Sequence, residues 1–234
     1  MRLYRDHLLP RLIHGVMRDA RFLPLRRELA ARARGRVLEI GIGSGLNLPL
    51  YDPGRVEAVL GVDPSHLLLT LARRRAEGRS FPVWLVQADA ERLPLPDASM
   101  DTVLSSWTLC SIPDLGTALA EIARVLRPGG RFLFLEHGLS AEPSVARWQR
   151  LLTPFWRPLA GGCHLDRPIA ERLRRAGLRP ARLDTGYMLA GPRLFTYHYR
   201  GEAEPPERQS GAGADSAAGA EAAPGRGKGT ACDR

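Results

Sequence analysis

The sequence is short of cysteine and of long apolar runs, and each shortage excludes a class of protein. The three cysteines, Cys110, Cys163 and Cys232, form no C-x-x-C pair, so neither a disulfide framework nor a zinc ribbon is indicated. No apolar run approaches the ~18 residues that a membrane-spanning helix requires. The amino-terminal residues lack the unbroken apolar stretch of a signal peptide. We therefore expect a cytoplasmic protein.

Lysine is almost absent as well. Of the 34 basic residues only Lys228 is a lysine, and the net charge is +9. The arginines are scattered along the chain, so we predict no nucleic-acid partner. Ten of them lie in residues 1–36, against three acidic residues. This basic front is either a solvated surface or a peripheral contact with anionic lipid or an acidic substrate.

With 234 residues, 44% of them hydrophobic, the chain suits one domain of ordinary size with appendages. Residues 1–36 are predicted to form a helical cap, with a first helix starting near Pro10 and a second from Arg26 to Arg34. Residues 37–200 form the main domain. From Gly201 to the end the composition is Gly, Ala, Pro, Glu and Ser, which predicts a disordered tail for 201–234.

Strands and helices alternate from Val37 onward, which indicates a parallel sheet with helical crossovers. The candidate strands are Val37–Ile40, Ala58–Val62, Val83–Gln87, Thr102–Ser106 and Arg131–Glu136, followed by a strand pair in RPARLDTG and RLFTYHYR. The candidate helices are Leu46–Tyr51, Ser65–Glu77 and Leu115–Leu126. We therefore predict an α/β fold.

A glycine-rich turn follows the first of these strands, in VLEIGIGSGLNLPLY (37–51). Gly41, Gly43 and Gly45 permit a tight turn that side chains would block. Glu39 precedes the turn, and Asp63 ends the second strand. A glycine turn after one strand and a carboxylate after the next is how a doubly wound sheet holds a nucleotide.

The pattern favours S-adenosylmethionine over NAD as the cofactor. The dinucleotide fingerprint G-x-G-x-x-G/A would need Gly or Ala where this chain has Leu46. G-x-G-x-G preceded by an acid resembles motif I of the class I methyltransferases. S-adenosylmethionine carries an ammonium and a ribose diol but no phosphate, so acids suit it. We expect Glu39 to face the ammonium and Asp63 to accept the ribose hydroxyls.

Two further strand ends offer candidate site residues. Asp89 follows the third strand, and its carboxylate together with the Ala90 N–H would suit the adenine ring. After the fourth strand the sequence SSWTLCSIPD lacks the (N/D)PP(Y/F) box that orients an amine, so methylation of a base or exocyclic amine is not expected. Trp107 in this segment either covers the ligand or belongs to the core.

His137 is the candidate catalytic base, because it ends the fifth strand on the ligand side of such a sheet. A neutral imidazole can take a proton near pH 7. The alternative is that His137 only orients a loop. Cys163 and His164 form a metal-like pair, but no second pair exists, so we predict no metal site.

Four segments together resemble the methyltransferase-like thiol S-methyltransferases and their bacterial relatives. They are the motif I run, WTLCSIPD, ARVLRPGGRFLFLEHG and the aromatic PFW…GGCHLDR segment between 154 and 167. The resemblance covers about residues 37–200. It implies a Rossmann-like, doubly wound seven-stranded methyltransferase sheet with helices on both faces and an antiparallel last hairpin. Such folds place substrate walls in the insertion between the fifth strand and the next helix, which here is the wider aromatic segment from Trp148 to Pro168. Membrane-associated members carry a long apolar amino-terminal anchor, whereas this chain begins with a basic amphipathic segment.

The resemblance implies an S-adenosylmethionine-dependent methyltransferase acting on a small molecule, and it points to an alkyl thiol or another apolar nucleophile as the acceptor. One alternative keeps the enzyme class and changes the acceptor to a phospholipid amine or a quinone-type oxygen. Another is a non-catalytic module that binds the cofactor and serves as a partner. A Rossmann oxidoreductase is disfavoured by Leu46.

Overall fold

The computed structural model describes residues 4–206. Its centre is a seven-stranded sheet in the order β3-β2-β1-β4-β5-β7-β6. The strands are β1 Gly35–Ile40, β2 Val56–Asp63, β3 Val83–Gln87, β4 Met100–Ser106, β5 Leu126–His137, β6 Arg179–Tyr187 and β7 Tyr197–Glu204. The first five run parallel, and β7 is antiparallel to both β5 and β6.

Helices connect the strands and cover both faces of the sheet. They are α1 Leu9–Met17, α2 Leu23–Ala30, α3 His66–Ala76, α4 Leu115–Val125, α5 Pro143–Leu159, α6 Ile169–Arg175 and α7 Arg193–Thr196. A Ser65 side chain caps α3 and an Asp114 side chain caps α4, each accepting a hydrogen bond from a backbone N–H of the first turn. The predicted doubly wound fold with its antiparallel last hairpin is confirmed.

The alternation of side chains along β1 explains why the sheet has two cores. Leu38 and Ile40 join the cluster on the face covered by α4 and α6. Val37 points to the opposite face, where it packs with Leu29 of α2. Because successive residues of a strand point to opposite faces, a strand buried on both sides is mostly apolar, and Glu39 is the buried exception in β1.

The strand order places a crevice at the carboxyl ends of the central strands β1 and β4. The chain proceeds from β1 outward to β3 and then returns to β4 on the other side of β1. In open α/β sheets ligands bind outside the carboxyl ends of the strands where the order reverses. Ile40 and Ser106 end the two strands at this point, so Gly41 and Trp107 begin the loops that border the crevice.

The amino-terminal segment is helical, as predicted, but its second helix differs. This helix, α2, runs from Leu23 to Ala30 instead of from Arg26 to Arg34, with Pro24 in its first turn. Proline is favoured there because its missing N–H has no intrahelical partner at that position. The predicted helix Leu46–Tyr51 is wrong: only a 3₁₀ turn, Leu48–Leu50, forms. Pro49 lies inside this short segment, where it removes a backbone donor that a continuous helix would need.

The predicted tail boundary at Gly201 is also wrong. Strand β7 continues through Glu204, and Ala203 is fully buried. Gly201 pairs with Phe134 of β5 on one side and with Leu183 of β6 on the other. Residues 201–204 therefore belong to the sheet. The remainder of the predicted tail, 207–234, lies outside the described residues.

Candidate active site

The three glycines of the first loop all have positive φ but face different surroundings. A Cβ added at Gly41 (φ 64°) would collide with the Thr108 side chain. One added at Gly45 (φ 76°) would lie 2.9 Å from Leu48 Cδ1 and 3.2 Å from Ala72 of α3. At Gly43 (φ 56°) the nearest atom is 3.9 Å away. Gly41 and Gly45 thus permit close packing, while the open space over Gly43 faces the crevice.

Asp63 joins the glycine loop to the start of α3. Its Oδ2 accepts a hydrogen bond from the Gly43 N–H at 2.9 Å, and its Oδ1 accepts one from the Ser65 N–H at 2.8 Å. Burial raises the pKa of this carboxyl, and these two hydrogen bonds oppose the shift. Asp63 also lines the crevice, where its remaining lone pairs suit the predicted contact with ribose hydroxyls.

Glu39 lies beneath the loop and is only 2% exposed. Its Oε1 accepts a hydrogen bond from Asn47 Nδ2 at 2.8 Å, and its Oε2 accepts one from the Tyr51 hydroxyl at 2.6 Å. Glu39 does not line the crevice in the described part of the chain. The structure therefore gives this acid a clear role in holding the loop, and its predicted contact with the ammonium stays a prediction.

Arg26 of α2 reaches the same buried region. Its Nη1 donates to Asn47 Oδ1 at 3.1 Å and to Ser106 Oγ at 3.3 Å, and its guanidinium lies 4.7 Å from the Trp107 ring centroid. Sequence analysis treated this arginine as part of a basic surface. No local signal distinguished it from its neighbours, because its burial depends on where α2 docks.

Burial dominates the electrostatics of Glu39 and Arg26. It raises the pKa of Glu39 to about 7, against the opposing effects of Tyr51, Asn47 and Arg26. Burial also lowers the pKa of Arg26 to about 10, although the Glu39 charge favours the protonated guanidinium. Both shifts follow from the cost of placing charge in a medium of low dielectric constant.

Trp107 adopts a strained backbone conformation at the end of β4. Its φ of 52° is rare for a bulky residue and costs roughly 1–2 kcal/mol. Its backbone N–H donates to the Leu135 carbonyl at 2.8 Å, and its ring makes edge contacts with Phe22 and His198. These contacts hold the indole against the crevice, which it lines. Trp107 thus serves both the core and the site.

The crevice is a cleft of about 1170 Å³. Its polar side contains the glycine loop, Asp63, Asp89 and the buried Ala90, and its other side is formed by α1. His14 of α1 connects the two sides, because its Nδ1 lies 2.8 Å from Ser44 Oγ of the glycine loop. Burial, with Arg75 and Arg18 nearby, lowers the pKa of His14, so its imidazole is neutral at pH 7. Sequence analysis missed this residue.

His137 is 6% exposed, and among the described residues it is not part of the cleft lining. Its Nε2 lies 3.3 Å from the Leu194 carbonyl oxygen, and its Nδ1 lies 4.0 Å from Cys163 Sγ. The hydrogen bond between the two thiols lowers the pKa of Cys163 and raises the pKa of Cys110. The structure therefore places His137 with a pair of thiols behind the cleft, and its role as base stays a prediction.

The aromatic segment predicted to form substrate walls is mostly helical. Its residues 148–159 belong to α5, and Trp156 packs against Phe195 at a centroid distance of 4.8 Å. Gly161, after the helix, lines the cleft. His164 does not join Cys163 in a site: its Nδ1 lies 3.7 Å from Asp166 Oδ1.

The cleft fits S-adenosylmethionine by the residues it presents. The space above Gly43 would be filled by any side chain, as expected where a ligand approaches the backbone closely. Two carboxylates, Asp63 and Asp89, face the cleft from the ends of β2 and β3. These acids match a ligand with a ribose diol and an adenine amine, and they would repel a pyrophosphate.

Comparison with known proteins agrees with this geometry. Residues 38–134 match the family described as a methyltransferase domain. The chain is 34% identical over 171 residues to the thiol S-methyltransferase TMT1A of Homo sapiens, a match that covers 69% of each protein. The chain belongs to the S-adenosylmethionine-dependent methyltransferases. S-adenosylmethionine is accordingly its cofactor.

Other relatives differ in their acceptors. Phosphatidylethanolamine N-methyltransferase of Cereibacter sphaeroides is 39% identical over 146 residues, covering 60% of this chain and 70% of the relative. A solved S-adenosylmethionine-dependent methyltransferase of Thermotoga maritima, a possible histamine N-methyltransferase, has a similar fold with a TM-score of 0.59. It is 23% identical, and the match covers 85% of this chain and 98% of that one.

Exchanging single glycines should separate stability from cofactor binding. Gly43→Ala and Gly45→Ala each place a Cβ on a left-handed backbone, which costs about 1–2 kcal/mol. Gly45→Ala should lower the melting temperature further, because its Cβ also meets Leu48 and Ala72. Gly43→Ala should instead weaken binding of S-adenosylhomocysteine at least tenfold, measured by calorimetry. Unchanged affinity in Gly43→Ala would place the cofactor elsewhere.

Glu39→Gln should change the pH dependence of stability. Because the pKa of Glu39 is about 7 in the folded protein and ordinary when unfolded, the stability it contributes is present at low pH and is lost as pH rises through 7. The free energy of unfolding, measured in urea, should therefore rise in the variant relative to the wild type by roughly 1–3 kcal/mol between about pH 5 and pH 8.5. A pH-independent difference would contradict the raised pKa.

The Glu39→Gln variant also tests the predicted contact with the ammonium. Glutamine can still accept from Asn47 and can form a hydrogen bond with the Tyr51 hydroxyl, so the loop should keep its structure. A more than tenfold loss of S-adenosylhomocysteine affinity at about pH 8.5, in a variant that still unfolds cooperatively in urea, would support the contact. Affinity within threefold of the wild type would leave Glu39 with its structural role alone.

Proposed function

We propose that this methyltransferase transfers the cofactor's methyl group to the sulfur of a small apolar thiol. The observation that carries the proposal is the composition of the cleft wall opposite the glycine loop. Helix α1 contributes Leu9, Ile13 and Met17 to that wall, and Ile112 and Pro113 lie beyond them. Such a wall favours an acceptor with an alkyl or aromatic body.

The end of β4 supports an acceptor other than an amine. Trp107, Thr108 and Ser111 border the cleft where amine methyltransferases carry a motif that accepts hydrogen bonds from the amine. Glu136 of the neighbouring strand β5 is fully buried, and it accepts hydrogen bonds from Ser105 Oγ at 2.7 Å and the Thr108 N–H at 2.9 Å. The end of β4 and residues 107–113 therefore offer a protonated amine no carboxylate, and Glu91, which also lines the cleft, accepts a hydrogen bond from the Asp114 N–H.

The protein itself needs to supply little of the chemistry of this reaction. Bound S-adenosylmethionine supplies an electrophilic methyl group on a sulfonium. The glycine loop, Asp63 and Asp89 would hold the cofactor, while α1 would exclude water and align the sulfur of the acceptor. A thiol with the pKa of a cysteine side chain, about 8.5, is a few per cent ionised at pH 7, whereas a simple alkyl thiol is a weaker acid and is ionised less, so help with its deprotonation would speed turnover.

Two histidines could assist by accepting the thiol proton. His137 is the predicted base, and it would act on a cleft-bound acceptor only through an intervening group, because its ring is not part of the cleft lining. His14 lines the cleft directly and is neutral at pH 7. The His14 Nδ1 atom forms a hydrogen bond with Ser44, which suits a role in orienting the glycine loop. Both histidines stay candidates for proton transfer.

Apolar side chains beside the cleft support an acceptor drawn from a membrane surface. Helix α5 exposes one stripe at helical spacing, formed by Trp148, Leu151, Phe155 and Leu159, with Phe155 70% exposed. Neither α1 nor α5 contains an acidic residue, and Arg11, Arg147, Arg150 and Arg157 are exposed on them. The Tyr4 hydroxyl, in the helical turn that precedes α1, donates to the Leu159 carbonyl at the end of α5 at 2.7 Å.

This pattern suits peripheral contact with anionic lipid, in which apolar side chains enter the interface and arginines meet the headgroups. No helix within residues 4–206 has both the length and the apolar character needed to cross a bilayer. The proposal therefore extends the predicted membrane contact of the basic first helix to a combined surface of α1 and α5.

The acceptor is tested by methyl transfer from labelled S-adenosylmethionine to matched compounds. We expect octanethiol to exceed mercaptoethanol in kcat/KM, since each buried CH₂ contributes ~0.8 kcal/mol, or about fourfold. Octylamine, with the same chain, should be inactive. Phosphatidylethanolamine vesicles and a reduced naphthoquinol test the phospholipid and quinone-type alternatives.

Outcomes of this screen separate the alternatives. Preference for the vesicles or the quinol over octanethiol would replace the thiol by that acceptor. Binding of S-adenosylhomocysteine with no transfer to any acceptor class would favour the non-catalytic module. Equal kcat/KM for octanethiol and mercaptoethanol would contradict an apolar acceptor wall.

The membrane contact is tested by two tryptophans of equal exposure. Trp148 on α5 and Trp84 on β3 are each 56% exposed. We expect Trp148→Ser to weaken sedimentation with phosphatidylglycerol vesicles at least threefold, while Trp84→Ser leaves it unchanged. Loss of the membrane contact should slow methylation of a vesicle-held thiol but not of soluble mercaptoethanol. Equal binding by both variants would exclude α5 as the contact.

A further inference from the structure

Three potential metal ligands from distant parts of the chain meet behind the cleft. Cys110 follows β4, His137 ends β5, and Cys163 follows α5. One ligand atom from each lies within 4.8 Å of the other two, and Cys163 Sγ is 4.0 Å from His137 Nδ1. The two cysteines are not joined by a disulfide.

We propose that Cys110 Sγ, His137 Nδ1 and Cys163 Sγ bind a zinc ion. Thiolate and imidazole are the ligands that Zn²⁺ prefers, and sites with two cysteines and one histidine are a known ligand set. Tetrahedral Zn²⁺ with bonds of about 2.3 Å to sulfur and 2.0 Å to nitrogen separates its ligands by roughly 3.5–3.8 Å. The observed separations need only a small contraction to reach this geometry.

The histidine is already oriented for a metal. Its Nε2 lies 3.3 Å from the Leu194 carbonyl oxygen, so an N–H at this position directs the Nδ1 lone pair toward the thiols. Metal-ligating histidines usually donate their other N–H in this way. Gln149 fixes the carbonyl in turn, donating to Leu194 O at 3.0 Å and to Gly138 O at 3.1 Å.

The surrounding backbone and charges are compatible with a loaded site that has no net charge. The backbone N–H of His164 donates to the Cys110 carbonyl at 2.8 Å, which holds the two cysteine segments together. Two thiolates would neutralise Zn²⁺, so the loaded site carries no net charge into its buried position. Glu136 already accepts hydrogen bonds from Ser105 and Thr108, and Arg167 donates to the Leu109 and Ile112 carbonyls around Cys110.

Three protein ligands leave one tetrahedral position, which a water molecule would occupy. Cys110 lies next to the cleft wall, because its Sγ is 3.6 Å from Ser111 Oγ and Ser111 lines the cleft. The sequence-based prediction of no metal site considered Cys163 with His164. The structure instead pairs Cys163 with His137, which is 26 residues away along the chain.

The site is tested by cobalt titration of the full-length chain carrying Cys232→Ser, which removes the third thiol. After reduction and chelation, Co²⁺ should bind one per chain and give sulfur-to-cobalt charge-transfer absorption, which Zn²⁺ should abolish. Zn²⁺ should also raise the melting temperature. Cys163→Ser and His137→Gln should each weaken Co²⁺ binding at least tenfold.

His164→Gln is the matched control, because it changes the histidine beside Cys163 without touching the cluster, and it should bind like the parent. Cys163 is only half-buried, so its serine variant should fold even if Cys110→Ser does not. The proposal fails if Co²⁺ gives no charge-transfer band, or if Cys163→Ser binds as the parent does. It also fails if dilute peroxide links Cys110 to Cys163 while the reduced protein binds no metal.

Discussion

The cofactor side of this enzyme depends on a buried pair of opposite charges held together by one amide. Asn47 donates to Glu39 and accepts from Arg26, so three elements, β1, the glycine loop and α2, meet at its side chain. Removing one charge from such a pair leaves the other uncompensated in a medium of low dielectric constant, which costs more than the pair contributes. The network therefore specifies one arrangement of the loop more than it stabilises the fold.

This network also decides how the amino-terminal helices relate to the sheet. In the sequence, residues 1–36 look like a separate cap that precedes the motif. In the structure, Arg26 of that segment donates to Asn47 in the glycine loop, and His14 contacts Ser44 of the same loop. Two contacts from the cap thus reach the loop that borders the cofactor. A shift of α1 or α2 would therefore displace the glycine loop through these contacts.

The parts of the fold that sequence analysis predicted are those with local causes. The parallel strands are apolar and alternate with helices along the chain. The glycines of the loop are needed because side chains would block its tight turn. The errors also have local causes: Pro49 prevents the helix expected at Leu46–Tyr51. Gly201 was assigned to a tail by its composition, yet a Cβ there would lie 2.8 Å from the Phe134 ring, so glycine is needed for close packing between β5 and β6.

The residues that were missed share a different property. Arg26, His14 and the group of Cys110, His137 and Cys163 acquire their roles from elements far apart in the chain, and no spacing in the sequence encodes such a meeting. The strained Trp107 stands between these groups, with the Arg26 guanidinium over its ring and His198, a neighbour of His137, at its edge. Because this one side chain contacts the charge network on one side and the histidines on the other, a bulky aromatic is required there in spite of its backbone strain. The end of β4 is therefore where the loop that holds the cofactor and the thiol–imidazole cluster are joined.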